Sequence, residues 1–299
     1  MSPSGQTDES SPWTPLRVMD WAVPYLKERG VDSPRLDVEC MLAEALGCDR
    51  LRVYLQYDRP LSADERKWLR DAVGRRAKRE PLAYILGTRE FFGHDFSVRP
   101  GVLIPRPESE LLVDEAAKIL RGMPEDKRIA VDLGTGSGCL AVSLALAVPE
   151  TKVWAVELSG VALAVAQENA ERLGAAPFIN FRQGSWWDAL KAGDPAQFAV
   201  VMSNPPYLTD KDCSELQPEI SDFEPLNALK GGADGLLCYQ TLRMGLPDRL
   251  TPGGWAFLEM NAGKAAEISE IFASWRVRKI LPDLAGLPRV LCLSSSAIP

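Results

Sequence analysis

Between residues 14 and about 86 the apolar positions recur at helical spacing. Thr14-Pro15 reads as an N-cap followed by proline at the first helical position, and Leu16, Met19, Val23 and Leu26 then share one side. Ser33-Pro34 opens a second helix, with Leu36, Val38, Met41, Leu42 and Leu46 on its apolar side and Gly47 as its stop. "SADE", Ser62 to Glu65, has capping-box spacing and starts a third helix that runs toward Arg79. Next, "REFFGHDFSV" at 89–98 sets aromatics around Gly93-His94 and predicts a short hairpin with His94 at its turn. After the proline-punctuated "LIPRP", a helix is predicted from about Pro107.

From Arg128 the pattern changes to short apolar runs alternating with helical segments. Strands are predicted at 129–133, 152–157, 179–183, 198–203, 254–259, 276–281 and 289–293. Helical patterns fall near 138–147, 160–173, 233–249 and 263–273. The last two strands are joined by too short a loop for a crossover helix, so they should pair antiparallel. The fold class expected is α/β: a seven-stranded, mostly parallel, Rossmann-like sheet with a reversed edge strand. An N-terminal helical domain and a linking β-hairpin precede it. The expected divisions are a disordered tail at 1–13, the helical domain at 14–88, hairpin and linker at 89–106, and the sheet domain at 107–299.

Composition narrows the function. The net charge of -7 argues against a protein that clamps nucleic acid by bulk charge. The basic run "RDAVGRRAKRE" is either a solvated helix face or a docking patch for an acidic or ribonucleoprotein partner. The six cysteines form no C-x-x-C pair and read as reduced thiols of a cytoplasmic protein, with no metal site. His94 is the sole histidine, which excludes a Ser–His triad. No apolar run reaches membrane-spanning length, and the polar, acidic first dozen residues resemble neither a signal nor a transit peptide.

Candidate chemistry gathers at the carboxyl ends of the predicted strands, where open α/β sheets bind ligands. The first strand runs into "VDLGTGSG", in which Gly134, Thr135, Gly136, Ser137 and Gly138 make a turn into a helix. The G-x-G-x-G spacing differs from a dinucleotide fingerprint, and no Gly-Lys-Ser/Thr follows to make a P-loop. Asp132 just before the turn would repel a pyrophosphate, whereas S-adenosylmethionine (AdoMet) carries a sulfonium and an ammonium group. Glu157, nineteen residues after Gly138, ends the second strand and can accept hydrogen bonds from both ribose hydroxyls. Trp186 follows the third strand and offers an aromatic face to an adenine ring; Trp186 and Trp187 can equally be core or lid packing.

The fourth strand, "FAVVMS", ends in Asn204-Pro205-Pro206-Tyr207. Two prolines make that tip stiff and stop the strand. The Asn204 amide can donate and accept, the Pro205 carbonyl accepts, and Tyr207 presents a π-face. Together these suit a planar amide or ring amine, held by two accepted N–H bonds with its nitrogen lone pair aimed at a methyl donor. Such a site needs no dedicated general base.

"VDLGTGSG", "VELS" and "NPPY" resemble the AdoMet-dependent amino-methyltransferases of the Asn/Asp-Pro-Pro-Tyr class. "REFFGHDFSVRPGVLIPRPESELLV" and "FEPLNALKGGADGL" are similar to the HemK family in particular, and the resemblance covers nearly the whole chain from about residue 14. It implies methyl transfer from AdoMet, leaving S-adenosylhomocysteine (AdoHcy), to the glutamine amide in the Gly-Gly-Gln motif of class 1 peptide chain release factors. It further implies that Gly134 to Gly138 and Glu157 bind AdoMet, that Trp186 borders the adenine, and that Asn204, Pro205, Pro206 and Tyr207 hold the glutamine. The helical domain would grip the release factor. The expected protein is a cytoplasmic monomer with no membrane or direct nucleic-acid partner. Glu157 stands where the family usually has Asp, Glu108-Ser109-Glu110 replaces Asp-Thr-Glu, and "LEMNAG" departs from "LEIG". A ribosomal-protein glutamine methyltransferase, an adenine-N6 DNA methyltransferase and a non-catalytic AdoMet-binding scaffold are the alternatives.

Overall fold

The computed structural model describes residues 12–275 and 277–294 of the 299-residue chain. The chain divides after Leu86 into two compact units. Of the expected N-terminal tail, residues 1–11 lie outside the described residues, and Trp13 is held in place. Its carbonyl accepts from Leu61 N at 2.8 Å, and its ring meets Trp21 edge-on at 6.2 Å.

The first unit is helical: α1 (Pro15–Lys27), α2 (Pro34–Leu46), α3 (Arg50–Tyr54), α4 (Ala63–Arg76) and α5 (Leu82–Leu86). The caps form as expected at Thr14 and at Ser62, where the box closes with Glu65. The buried stripe of α1 is Val18, Met19, Ala22 and Leu26, while Leu16 stays 41% exposed. Small Ala22 sits at helical spacing from both neighbours and rotates the stripe away from Leu16. In α2, Leu36 is likewise exposed, and Asp37 and Glu39 are buried instead. Each is bonded: Asp37 accepts from Arg76 at 2.7 Å, and Glu39 accepts from Arg35, Arg50 and Tyr54. Two residues of the basic run therefore hold this unit together, Arg76 through Asp37 and Arg75 through Glu80 at 2.6 Å. The five-residue helices α3 and α5 are too short to show a periodicity.

The second unit begins with the hairpin β1 (Thr88–Phe91) and β2 (His94–Ser97). Its turn is Phe92-Gly93, both with positive φ, as a type I′ connection requires, so His94 opens β2 rather than sitting in the turn. The hairpin, expected as a linker, belongs to this unit's core: Phe91 and Phe96 are buried with Leu112 and Ala116. The further elements are α6 (Glu110–Arg121), β3 (Ile129–Leu133), α7 (Cys139–Ala147), β4 (Lys152–Glu157), α8 (Gly160–Arg172), β5 (Ile179–Gln183) and β6 (Phe198–Ser203). They are followed by α9 (Asp210–Ser214), α10 (Pro218–Ser221), α11 (Leu237–Arg249), β7 (Leu250–Glu259), α12 (Ala265–Ile271), β8 (Val277–Pro282) and β9 (Pro288–Ser294).

The sheet has seven strands in the order β5-β4-β3-β6-β7-β9-β8, as the α/β reading expects. Strands β5 to β7 are parallel, and β9 is antiparallel to both neighbours. The reversed strand is thus internal, between β7 and β8, not at the edge. Strand β7 starts four residues earlier than predicted because Leu250 pairs with Phe198 ahead of a register shift that absorbs Pro252 and Gly253. Alternate residues of the central strands feed two cores. Ala130, Val200 and Met202 pack with α6 and α7, while Val131, Leu133 and Val201 pack with Tyr239 and Leu242 of α11. Burial on both faces is why these strands read as unbroken apolar runs. The strand order reverses between β3 and β6, and this is the crevice where ligands bind in such sheets.

Candidate active site

At the carboxyl end of β3, Gly134, Gly136 and Gly138 all adopt positive φ. Gly138 has a second constraint, since a Cβ there would lie 3.0 Å from the Ala166 methyl of α8. Gly134 N and Thr135 N both donate to Val156 O at 2.9 Å, which ties the turn to β4. The side chains of Thr135 and Ser137 are buried beneath the turn, and the Thr135 hydroxyl donates to Asp132 Oδ2 at 2.6 Å. Burial pushes the Asp132 carboxyl up to about 7, helped by the nearby Glu157 charge and opposed by that hydroxyl.

A cleft of about 200 Å³ opens over the turn, lined by Gly134, Gly136, Glu157, Trp186, Asn204 and Lys230 among others. Glu157 is braced from both sides. Its Oε2 accepts from Gly136 N at 2.9 Å and its Oε1 from Ser159 N at 2.8 Å. A carboxylate has acceptor sites beyond these two, and they remain for a ligand. Trp186 holds positive φ, a costly conformation for a bulky residue, and its ring lies 4.0 Å from where a Gly134 Cβ would stand. The adjacent Trp187 is core: it is buried and donates from Nε1 to Leu242 O at 3.3 Å. Of the glycine-turn residues singled out in the sequence, Gly134 and Gly136 line the cleft, while Thr135, Ser137 and Gly138 shape the turn.

A smaller cavity adjoins the first, lined by Arg106, Pro205, Tyr207 and Leu229. Leu103, Asn204, Pro206 and Ala228 line both cavities, so Asn204 stands at their junction. The tip that carries it is fixed by the Ser203 hydroxyl, which donates to Leu133 O at 2.6 Å and locks β6 to β3. The "GGADG" loop presses on the same tip: Gly235 has φ +74, and a Cβ there would lie 2.4 Å from Tyr207 O.

Four polar residues not singled out as site residues complete the region. The Ser109 hydroxyl receives Asn204 Nδ2 at 3.1 Å and donates to Glu259 Oε2 at 2.5 Å. Tyr207 Oη lies 3.5 Å from Glu259 Oε1, and burial raises the Tyr207 hydroxyl well above its ordinary range. Glu224 accepts from Arg106 Nη2 at 2.5 Å and from Ile104 N at 3.1 Å. Glu259 carries the same signal that marked Glu157, an acid at the end of an apolar strand. Ser109, Arg106 and Glu224 have no comparable local signature. Among the described residues no cluster of metal-ligating side chains occurs, and no helix is long and apolar enough to cross a membrane.

Residues 17–87 match the family model described as PrmC N-terminal domain, and residues 107–219 match the one described as methyltransferase small domain. The release factor glutamine methyltransferase of Geobacter sulfurreducens is 45% identical over 89% of this chain and 91% of its own length. The protein of the same name from Koribacter versatilis is 40% identical over 92% and 96% respectively. Among solved structures, the hMettl16 catalytic domain in complex with MAT2A 3'UTR hairpin 6 superposes with a TM-score of 0.54 at 15% identity, over 76% of this chain and 83% of that one. A methyltransferase from Pyrococcus furiosus gives 0.50 at 20% identity, over 69% and 91%. These two likenesses establish the fold. Similarity to the curated proteins over nine-tenths of both lengths establishes more: the chain belongs to the release factor glutamine methyltransferase family.

Proposed function

We propose that this protein transfers the methyl group of AdoMet to the side-chain amide nitrogen of the glutamine in the Gly-Gly-Gln motif of class 1 release factors. The names of its relatives support the substrate. One observation carries the chemistry: Asn204 stands at the junction of two cavities, with its Nδ2 already engaged by Ser109. Its Oδ1 is thereby free to accept a substrate N–H.

The larger cleft fits AdoMet. The glycine turn lets a ligand approach the backbone, Glu157 offers acceptors to the ribose hydroxyls, and Trp186 offers a face to the adenine. Gly134, Gly136, Glu157, Trp186 and Asn204 are the residues that would hold it. When bound, AdoMet supplies an electrophilic methyl on a sulfonium.

The glutamine amide enters from the smaller cavity. Asn204 Oδ1 and the Pro205 carbonyl accept its two N–H bonds, and the Tyr207 ring supports its plane. A free amide nitrogen is a poor nucleophile because its lone pair is delocalised. Two fixed acceptors stabilise the positive charge that develops there and aim the lone pair at the cleft. The new N–C bond forms as the donor's S–C bond breaks, and one N–H proton leaves to water.

Incubation with AdoMet and a purified class 1 release factor, followed by peptide mass spectrometry, tests this reading. A single methyl on the Gly-Gly-Gln glutamine is expected. Methylation of a ribosomal protein or of DNA in its place would overturn the substrate assignment.

A further inference from the structure

We propose that Glu259, acting through Ser109, sets the orientation of the Asn204 amide, so that Oδ1 and not Nδ2 faces the substrate. This rests on the function proposed above. Both are positioning residues. Neither lines the cavities, and both are buried, Ser109 at 2% and Glu259 at 1% exposure.

The geometry dictates the polarity. An ionised carboxylate can only accept, so Ser109 spends its single proton on Glu259 Oε2 at 2.5 Å. The serine oxygen is then left with lone pairs alone, and only a donor can face them. That donor is Asn204 Nδ2 at 3.1 Å. A free asparagine amide turns over at little cost, and the wrong face would oppose substrate N–H with N–H. Three elements converge on this relay: the start of α6, the tip of β6 and the end of β7. Glu259 forms no direct ion pair among the described residues, and burying a carboxylate with no cation in contact is expensive. An orienting role gives a reason for it to be there.

The relay also responds to protons. Glu259 faces Ser109 and Glu108 at the start of α6, Tyr207 on the tip, and Arg289 of β9, and its backbone carbonyl accepts from Tyr239 of α11 at 2.8 Å. Burial, with the Glu108 charge, raises its carboxyl to about 7, against Ser109, Arg289 and Tyr207. Once protonated, Glu259 donates to Ser109. The serine proton is then released toward Asn204, which turns its Oδ1 inward. Turnover therefore requires the ionised form and falls as pH drops through about 7.

The test compares wild type, Ser109→Ala, Ser109→Thr and Glu259→Gln with a release factor as substrate, between about pH 6 and pH 9. Ser109→Ala should lower kcat roughly ten- to a hundredfold, leaving AdoHcy affinity by calorimetry unchanged, and Ser109→Thr should restore it. Wild-type kcat should fall tenfold per unit below about 7, an acid limb that Glu259→Gln flattens. Independently of activity, infrared difference spectra against Glu259→Gln should show one buried carboxyl titrating near 7, moved upward in Ser109→Ala. Wild-type kcat in Ser109→Ala, or an unchanged acid limb in Glu259→Gln, would overturn the relay. A wild type inactive on release factors would overturn the proposed function instead. The infrared titration would still decide the relay in that case: no carboxyl coupled to Ser109 means no relay.

Discussion

Glu224 closes a clasp on Arg106 across 118 positions of sequence: Nη2 approaches Oε1 to 2.5 Å, while Oε2 accepts from Ile104 N in the same loop. The carboxylate is almost fully buried and the guanidinium one-third exposed. Through this pair the loop after Glu224, whose Pro225, Asn227 and Ala228 line the larger cleft, is fastened to the "LIPRP" segment. Glu224→Ala leaves the buried Ile104 N–H unsatisfied and the Arg106 guanidinium without its ion-pair partner. We expect a loss of about 1–3 kcal/mol in stability together with weaker AdoMet binding, read by thermal denaturation and calorimetry. Unchanged values for both would show that the clasp holds nothing.

Asn204→Ala removes the proposed acceptor without touching Glu157 or the glycine turn. Turnover should fall roughly a hundredfold or more, while calorimetric affinity for AdoHcy weakens far less, because the glycine turn, Glu157 and Trp186 are untouched. Near-normal kcat would rule Asn204 out as the amide's partner.

Glu157→Ala should act on the cofactor. It frees the N–H groups of Gly136 and Ser159 and removes the acceptors proposed for the ribose. Losing a charged hydrogen-bond partner of this kind costs roughly 1.5–3 kcal/mol, so AdoMet affinity should weaken by about ten- to a hundredfold. Glu157→Asp, which restores the residue usual in the family, should bind more tightly than Glu157→Ala.

Asp132 predicts a pH-dependent stability. Its folded carboxyl is raised to about 7, above its unfolded range, so the folded state holds the proton more tightly. Stability is therefore greatest in mild acid, declines as pH rises from about 4 to about 7, and is level beyond that. Glu259 adds a decline over the same window. Asp132→Asn should make the urea midpoint less dependent on pH between about 5 and 8. A midpoint that rises with pH in wild type would contradict the burial argument.

Gly235→Ala should damage the tip from a distance in sequence. The new methyl would meet Tyr207 O at 2.4 Å, at a φ that side chains rarely adopt. Backbone contact cannot yield as a flexible side chain can, so the Asn-Pro-Pro-Tyr segment must shift. Because a small misplacement of a positioned group costs on the order of a hundredfold, kcat should collapse. Melting temperature should change far less, and circular dichroism checks that the fold survives.

Much of this was legible in the chain because burial writes itself locally. Strands β3, β4 and β6 are covered on both faces and stand out as apolar runs, and the glycine turn, Glu157 and Asn204 each follow one. The sheet order was less accessible. The short loop between β8 and β9 dictates their antiparallel pairing, but not that β9 also pairs with β7. Nor does any local pattern announce Ser109, Arg106 or Glu224, or that Ser109 meets Glu259 across 150 positions. Leu16 and Leu36 are exposed despite their spacing, because spacing alone ignores what small Ala22 and the bonded acids Asp37 and Glu39 do to the buried face.

The placement of Asn204 where two cavities meet has a kinetic consequence for the proposed reaction. In the proposed reaction the donor takes the larger cavity and the acceptor the smaller, and the two meet at one side chain, so neither occupies the other's place. Spent donor can leave while the protein substrate is still seated, and fresh donor can enter behind it. Binding order should then be random: an unreactive release factor should inhibit noncompetitively against AdoMet, where a strictly AdoMet-first order would make it uncompetitive.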